Sequence, residues 1–220
     1  MAIKKEYEYF TIRDRCRMQL VKYLEQILND LPEFTNPKML DIGCGSGVPT
    51  LWLAEKYKGT ITAIDTDKHL LDFLEHKIKS KKSLSRIETQ NVSFFDLVTE
   101  PESFDLILAE GFLNVVGFEI GFKKVIEKIK KKGYFIIHDE YKDHDNKIAL
   151  IHKNNCQIVS SLLLDETIWW RDFYGQLEME INKPENAHLR SLFINEINEI
   201  IQYKKNPSLF KSIYYVVLKS

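Results

Sequence analysis

Two carboxylates bracket a glycine-rich turn in this chain of 220 residues. Asp41 stands just before Gly43-Cys44-Gly45-Ser46-Gly47, and Asp65 follows Gly43 by 22 positions. Glycine at every second position lets the backbone take positive φ and approach a ligand closely. An acidic residue about 20 positions further on, closing a second strand, is where a ribose diol is met. The spacing is GxGxG, not the GxGxxG of dinucleotide sites. Asp41 would repel a pyrophosphate and attract an ammonium or sulfonium. These residues point to a nucleoside that carries positive charge.

Further groups able to do chemistry sit where later apolar runs end. Glu110 follows residues 104–109, and His138, Asp139 and Glu140 follow 134–137, with His144 close behind. His138 is a candidate proton acceptor because imidazole titrates near neutral pH. Far down the chain, residues 165–174 read Asp-Glu-Thr-Ile-Trp-Trp-Arg-Asp-Phe-Tyr. On a helix Trp169 would stack on Phe173 and Trp170 on Tyr174, at i,i+4. These four aromatic side chains are candidates to roof an apolar or planar acceptor. Arg171 is a candidate partner for an acceptor carboxylate.

The elements that must position these groups alternate. Residues 38–42 predict a buried strand, and Pro49 suits the first turn of the helix after the loop. Residues 60–65 predict a second strand, with Asp67 capping the next helix. Lys77, Lys79, Lys81 and Lys82 read as its solvated end. Strands are expected at 86–93, 104–109, 134–138, 156–164 and 213–218. Helices are expected at 118–132, stopped by Gly133, and at 144–154. Upstream, Met18, Val21, Leu24, Ile27, Leu28 and Leu31 recur at helical spacing over 14–31. The pattern predicts an α/β fold: a Rossmann-like, seven-stranded, mostly parallel sheet with helices on both faces, plus a helical lid. All the carboxylates then share one rim. More than forty residues separate the sixth and last strands, so this insertion emerges beside that rim.

Composition narrows the function classes. Formal net charge is −1, which gives no basic field for nucleic acid. Cys16, Cys44 and Cys156 are scattered, suggesting neither a disulfide framework nor a metal site, and they fit a reducing, cytoplasmic setting. No apolar leader or run of about 18 apolar residues is present, so no membrane partner is expected.

Leu40-Asp41-Ile42-Gly43-Cys44-Gly45-Ser46-Gly47 resembles motif I of the class I S-adenosylmethionine-dependent methyltransferases, and the likeness continues in motif order over about 36–160. The resemblance implies S-adenosyl-L-methionine as methyl donor and S-adenosyl-L-homocysteine as product. Gly43, Cys44, Gly45 and Gly47 would line the methionine moiety, and Asp41 would face its ammonium through water. Asp65 would hold the ribose, with Thr66 and Asp67 beside the adenine. Phe95 and Asp96 match the segment at the adenine edge, and Ala109 and Glu110 the strand end below the methyl group. Three parts are expected: an N-terminal flap at 1–35, with Tyr7, Tyr9 or Arg13 able to touch the ligand; the donor-binding domain at 36–164 and 208–220; and the lid at 165–207. Residues 109–112 read Ala-Glu-Gly-Phe, not the Asn/Asp-Pro-Pro-aromatic segment of enzymes that methylate adenine or glutamine. The expected acceptor is a small molecule, methylated by in-line displacement by a monomer or homodimer. Glu110, His138 and Glu140 are the candidates for catalysis. The alternative is a non-catalytic sensor or partner protein that binds the donor.

Overall fold

The computed structural model describes residues 2–29 and 31–220; Met1 and Asp30, which fall within the expected flap, lie outside the described residues. Seven strands form one sheet: β1 (Lys38–Ile42), β2 (Thr60–Asp65), β3 (Ile87–Asn91), β4 (Phe104–Glu110), β5 (Ile129–Glu140), β6 (Cys156–Leu164) and β7 (Ser212–Lys219). Their order is β3-β2-β1-β4-β5-β7-β6. Only β7 runs antiparallel, pairing with β5 on one side and β6 on the other. The sheet is thus the mostly parallel α/β sheet that the alternating pattern implies. Central strands carry near-continuous apolar runs because helices cover both faces. Met39, Leu40, Leu106, Ile107, Phe135 and Ile136 have no exposed surface.

One face is covered by α1 (Ala2–Arg17), α2 (Val21–Leu28), α3 (Val48–Lys56) and α4 (Lys68–Lys79), together with the segment after β6. That segment contains α8 (Glu166–Trp169), a π-helical turn (Trp170–Tyr174), α9 (Gly175–Ile181) and α10 (Ile194–Lys205). The other face is covered by α5 (Leu113–Val116), α6 (Phe118–Lys128) and α7 (His144–Lys153). Leu24, Leu177, Leu189 and Phe193 are buried in one continuous cluster with Met39 and Leu106 of the sheet. The N-terminal helices and the late insertion therefore share a core with the sheet face they cover. Strand order reverses between β1 and β4, and the glycine loop and the end of β4 meet at this switch point.

Four expectations need correction. The helix expected over 14–31 starts earlier and is interrupted by a 3₁₀ turn (Met18–Leu20). That turn winds about 120° per residue instead of 100°, so Met18 leaves the apolar stripe and is 50% exposed. The helix expected to reach Lys132 ends at Lys128. Ile129 is fully buried and pairs with Phe104, and Lys132 takes φ +59°. Burial of one isoleucine and the ion pair of Lys130 with Asp105 (2.8 Å) outweigh the helix propensity of the lysine run. Lys77 is not solvated, because its ammonium is drawn into an ion pair 2.7 Å from Asp14 of α1. The aromatic pairs of residues 169–174 are offset, because a π-helical turn replaces the expected α-helix there. No helix among the described residues is long and apolar enough to cross a membrane.

Candidate active site

The loop between β1 and α3 is built as its composition requires. Gly43, Gly45 and Gly47 all take positive φ, at +69°, +54° and +83°. Gly43 N–H and Cys44 N–H both donate to the carbonyl of Ile64, which fastens the loop to the end of β2. A Cβ on Gly47 would lie 2.3 Å from a methyl group of Leu74, so the Leu74 side chain would have to move. A Cβ on Gly43 would meet nothing within 4 Å, so this side of the loop is open for a ligand. The Cys44 thiol is buried and burial raises its pKa, which keeps it protonated and inert.

Asp41 is 3% exposed and accepts a hydrogen bond from Thr50 Oγ1 at 2.6 Å. Burial pushes its pKa up to about 7, and the nearby carboxylates of Glu110 and Asp65 push in the same direction. Among the described residues no cation forms an ion pair with this buried acid. Asp65 accepts from Gly45 N–H (2.7 Å) and Asp67 N–H (2.9 Å), which orients its carboxylate at the loop rim. Each oxygen keeps a second lone pair for a hydroxyl. Asp67 caps α4 through His69 N–H (2.9 Å) and Leu70 N–H (3.3 Å). Thr66 is exposed beside it. After β3, Phe95 and Asp96 lie in a 3₁₀ turn (Phe94–Asp96) held by Ser93. Phe95 is 49% exposed, with its ring 6.4 Å from that of Phe112 beyond β4. The residues expected around a nucleoside therefore follow one another along the C-terminal rim.

Ala109 is fully buried at the end of β4, and Glu110 follows it. Glu110 forms a 2.9 Å ion pair with Arg17 of α1 and accepts a 2.5 Å hydrogen bond from Tyr214. Opposite it in register is His138. The imidazole is stacked on Tyr214 at 4.0 Å and on Trp169 at 5.8 Å, and its Nε2 lies 3.0 Å from Ser212 Oγ. Burial lowers the His138 pKa to about 4, so the ring is neutral at pH 7. Asp139 points to the other face, where Lys147 pairs with it at 2.8 Å. Glu140 is exposed, and His144 Nδ1 lies 2.7 Å from the hydroxyl of Tyr215.

In front of Glu110 and His138 opens a cleft of about 880 Å³, toward the upper end of the range for small-molecule sites. Trp169, Tyr174 and Phe210 form its aromatic side. Trp170 and Phe173 do not line it. The π-helical turn makes i,i+5 contacts, so Trp169 stacks on Tyr174 (5.9 Å) and meets Phe173 only edge-on. Trp170 stacks instead on Tyr203 of α10 (5.6 Å), and Phe173 faces the core at 3% exposure. Arg171 turns away to Tyr23 (2.6 Å) and Asp172 (2.9 Å). Tyr7 packs on Phe73 of α4, whereas Arg13 lines the cleft.

Several site residues carry no local sequence signal. Asp14 bonds the hydroxyl of Ser46, and Lys77 bonds both Asp14 and the Ser46 carbonyl, tying α1 to the glycine loop. Arg17, Ser212 and Tyr214 reach the site from the two ends of the chain. The insertion's aromatic cluster and Arg13 are clues to the cleft, but nothing local in α1 singles out Asp14 or Arg17.

A family described as a methyltransferase domain matches residues 33–189, and the chain belongs to it. (S)-Coclaurine N-methyltransferase of Thalictrum flavum subsp. glaucum is 33% identical over 103 residues, which are 45% of this chain and 27% of that protein. The first curated relatives are matched over 20% to 45% of their own lengths. Among solved structures, the fold is similar to mycolic acid cyclopropane synthase complexed with SAH and CTAB (TM-score 0.76, 12% identity, 90% of this chain and 84% of that one). It is also similar to coclaurine N-methyltransferase bound to N-methylheliamine and SAH (TM-score 0.68, 16% identity, 91% and 70%). At these identities the likeness is one of fold, and it agrees with the class I resemblance carried by residues 40–47.

Proposed function

We propose that this domain binds S-adenosylmethionine along the rim from the glycine loop to β4 and transfers its methyl group to a small-molecule acceptor in the cleft. The observation that carries the reading is the open, bare backbone at Gly43 between a buried, cation-free Asp41 and the oriented Asp65. A nucleoside with a cationic amino-acid tail satisfies all three at once. Gly43, Cys44, Gly45 and Gly47 would line the tail, and Asp41 would face its ammonium. Asp65 would accept from the ribose, with Thr66 and Asp67 nearby. Phe95 and Asp96 would border the adenine, and Ala109 and Glu110 would lie beneath the reacting carbon.

The donor supplies an activated methyl group, so this chain's task is alignment. Orientation alone can lower such a barrier by roughly 7–11 kcal/mol. Trp169 and Tyr174 would press the acceptor toward Glu110. In this reading α1 with α2, and residues 165–207, act as flap and lid, because α1 and the later segment both wall the cleft. Glu110, His138 and Glu140 remain the candidates to receive an acceptor proton. Glu110 is held by Arg17 and Tyr214, and His138 is buried and hydrogen-bonded, so of these three candidates Glu140 is the exposed one. That engagement also favours the second reading, a donor-binding protein without transfer. Incubation with methyl-labelled S-adenosylmethionine and a panel of small amines, phenols and carboxylic acids separates the two. Labelled product supports transfer, and donor binding without product across the panel supports the second reading.

A further inference from the structure

Two arginines of α1, Arg13 and Arg17, stand one turn apart and both line the cleft. They are used differently. Arg17 is engaged with Glu110 at 2.9 Å. Arg13 is held by charge alone: its Nε lies 2.9 Å from Glu196 Oε1 without the alignment of a hydrogen bond, and Glu196 Oε1 already accepts from Tyr9 at 2.7 Å. Among the described residues, no hydrogen bond reaches either terminal NH₂ group of Arg13. Yet the side chain is only 28% exposed. Of its nitrogens only Nε is buried without a partner, so the terminal fork opens toward the cleft with its donors available to an acceptor. The group whose geometry matches that fork is a planar or tetrahedral oxyanion, bound through two parallel N–H···O bonds.

Two of the four carboxylates that line the cleft are offset by a cation. Glu110 is offset by Arg17, and Asp139 by Lys147 at 2.8 Å. Glu199 is exposed and takes a hydrogen bond from Tyr174 at 3.0 Å. Lys142 and Lys211 add positive charge at the mouth, against the exposed carboxylates of Glu140 and Glu199. Glu196 keeps one oxygen buried and unbonded, so it serves to aim Arg13 rather than to consume its donors.

Resting on the proposed methyl-transfer reading, we propose that the acceptor carries an oxyanion, a carboxylate or a phosphate, that docks on the free fork of Arg13. The role that the sequence suggested for Arg171 thus falls to Arg13, which lines the cleft where Arg171 does not. The ring side of the acceptor lies against Trp169 and Tyr174.

The test uses the full chain saturated with S-adenosylhomocysteine, and benzoate, phenyl phosphate and benzamide as probes, with affinities read by titration. The expected result is that at least one anion binds about tenfold or more tightly than benzamide, which shares the ring but not the charge. An advantage for benzoate alone assigns a carboxylate, and for phenyl phosphate alone a phosphate. Arg13→Gln removes the advantage, and Arg13→Lys retains part of it. Unchanged S-adenosylhomocysteine affinity in Arg13→Gln shows that this variant is folded. Equal binding of anions and benzamide, no detectable binding of either anion, or an advantage that survives in Arg13→Gln would overturn the inference. So would a tenfold loss of S-adenosylhomocysteine affinity in that variant, because Arg13 would then hold the donor. Failure of the wild-type chain to bind S-adenosylhomocysteine at all would instead remove the parent reading.

Discussion

Asp41 concentrates the electrostatics of the donor side in one residue. Buried beside Thr50 and within range of two other carboxylates, it has a pKa of about 7, whereas in an unfolded chain it would titrate near 3.9. The folded protein therefore binds more protons than the unfolded one between about pH 4 and pH 7, and this group's contribution to stability falls as pH rises through that window. A cationic ligand reverses the preference, because it favours the carboxylate. S-Adenosylhomocysteine affinity is thus expected to rise with pH up to about 7, by as much as tenfold per unit, and to level off above it. Asp41→Asn should bind more weakly and show no such rise. Calorimetry between about pH 5.5 and 8.5, which spans that titration, checks both, and a flat wild-type profile would count against the ammonium assignment. Asp41 was legible as a functional carboxylate because it interrupts an apolar strand just before glycine. Its raised pKa was not, since it depends on burial by the whole fold and on Glu110 and Asp65 from other strands.

At the scale of elements, the β1 loop and α4 are tightly matched through Gly47. Gly47→Ala would place a methyl group against Leu74 and force φ +83° on an L-residue. Strain and overpacking together are expected to cost about 2–4 kcal/mol. Chemical denaturation reads this loss directly, and a change below about 0.5 kcal/mol would mean that α4 packs elsewhere. The π-helical turn makes a second prediction. Trp169→Ala should weaken binding of an aromatic probe in the cleft several-fold, whereas Trp170→Ala should lower stability and leave that affinity alone, since Trp170 stacks on Tyr203. Equal effects on affinity would show that the two rings share the cleft. The central strands were readable because buried parallel strands leave short, nearly unbroken apolar runs between turn signals. The phase of Trp169 to Tyr174 was not readable, because α- and π-helical turns share the same residue preferences and differ only in which carbonyl each N–H finds. The lysine run before Gly133 misled for a related reason: local propensity favoured helix, and pairing of Ile129 with Phe104 decided otherwise.

Across the whole molecule, both ends of the chain converge on the same rim. Asp14 and Arg17 arrive from α1, Ser212 and Tyr214 from β7, and Trp169 and Tyr174 from the insertion. Such long-range convergence leaves no periodic trace in sequence, which is why Glu110 and His138 could be read as candidates and their partners Arg17, Ser212 and Tyr214 could not. It also predicts a coupling. Because Asp14 and Lys77 tie α1 to Ser46, occupancy of the donor site should slow amide exchange in α1 as well as in residues 43–47. Hydrogen exchange with and without S-adenosylhomocysteine measures this, and protection confined to the loop would separate the helix from the binding unit. The central claim is that a cationic nucleoside is held between the glycine loop and Asp65. Titration calorimetry of S-adenosylhomocysteine on the wild type and on Asp65→Ala tests it most directly. Binding to the wild type and a loss of about 2 kcal/mol in the variant are expected, from charge-assisted hydrogen bonds to the ribose. Equal affinity in the two proteins, or no binding to the wild type, would contradict it.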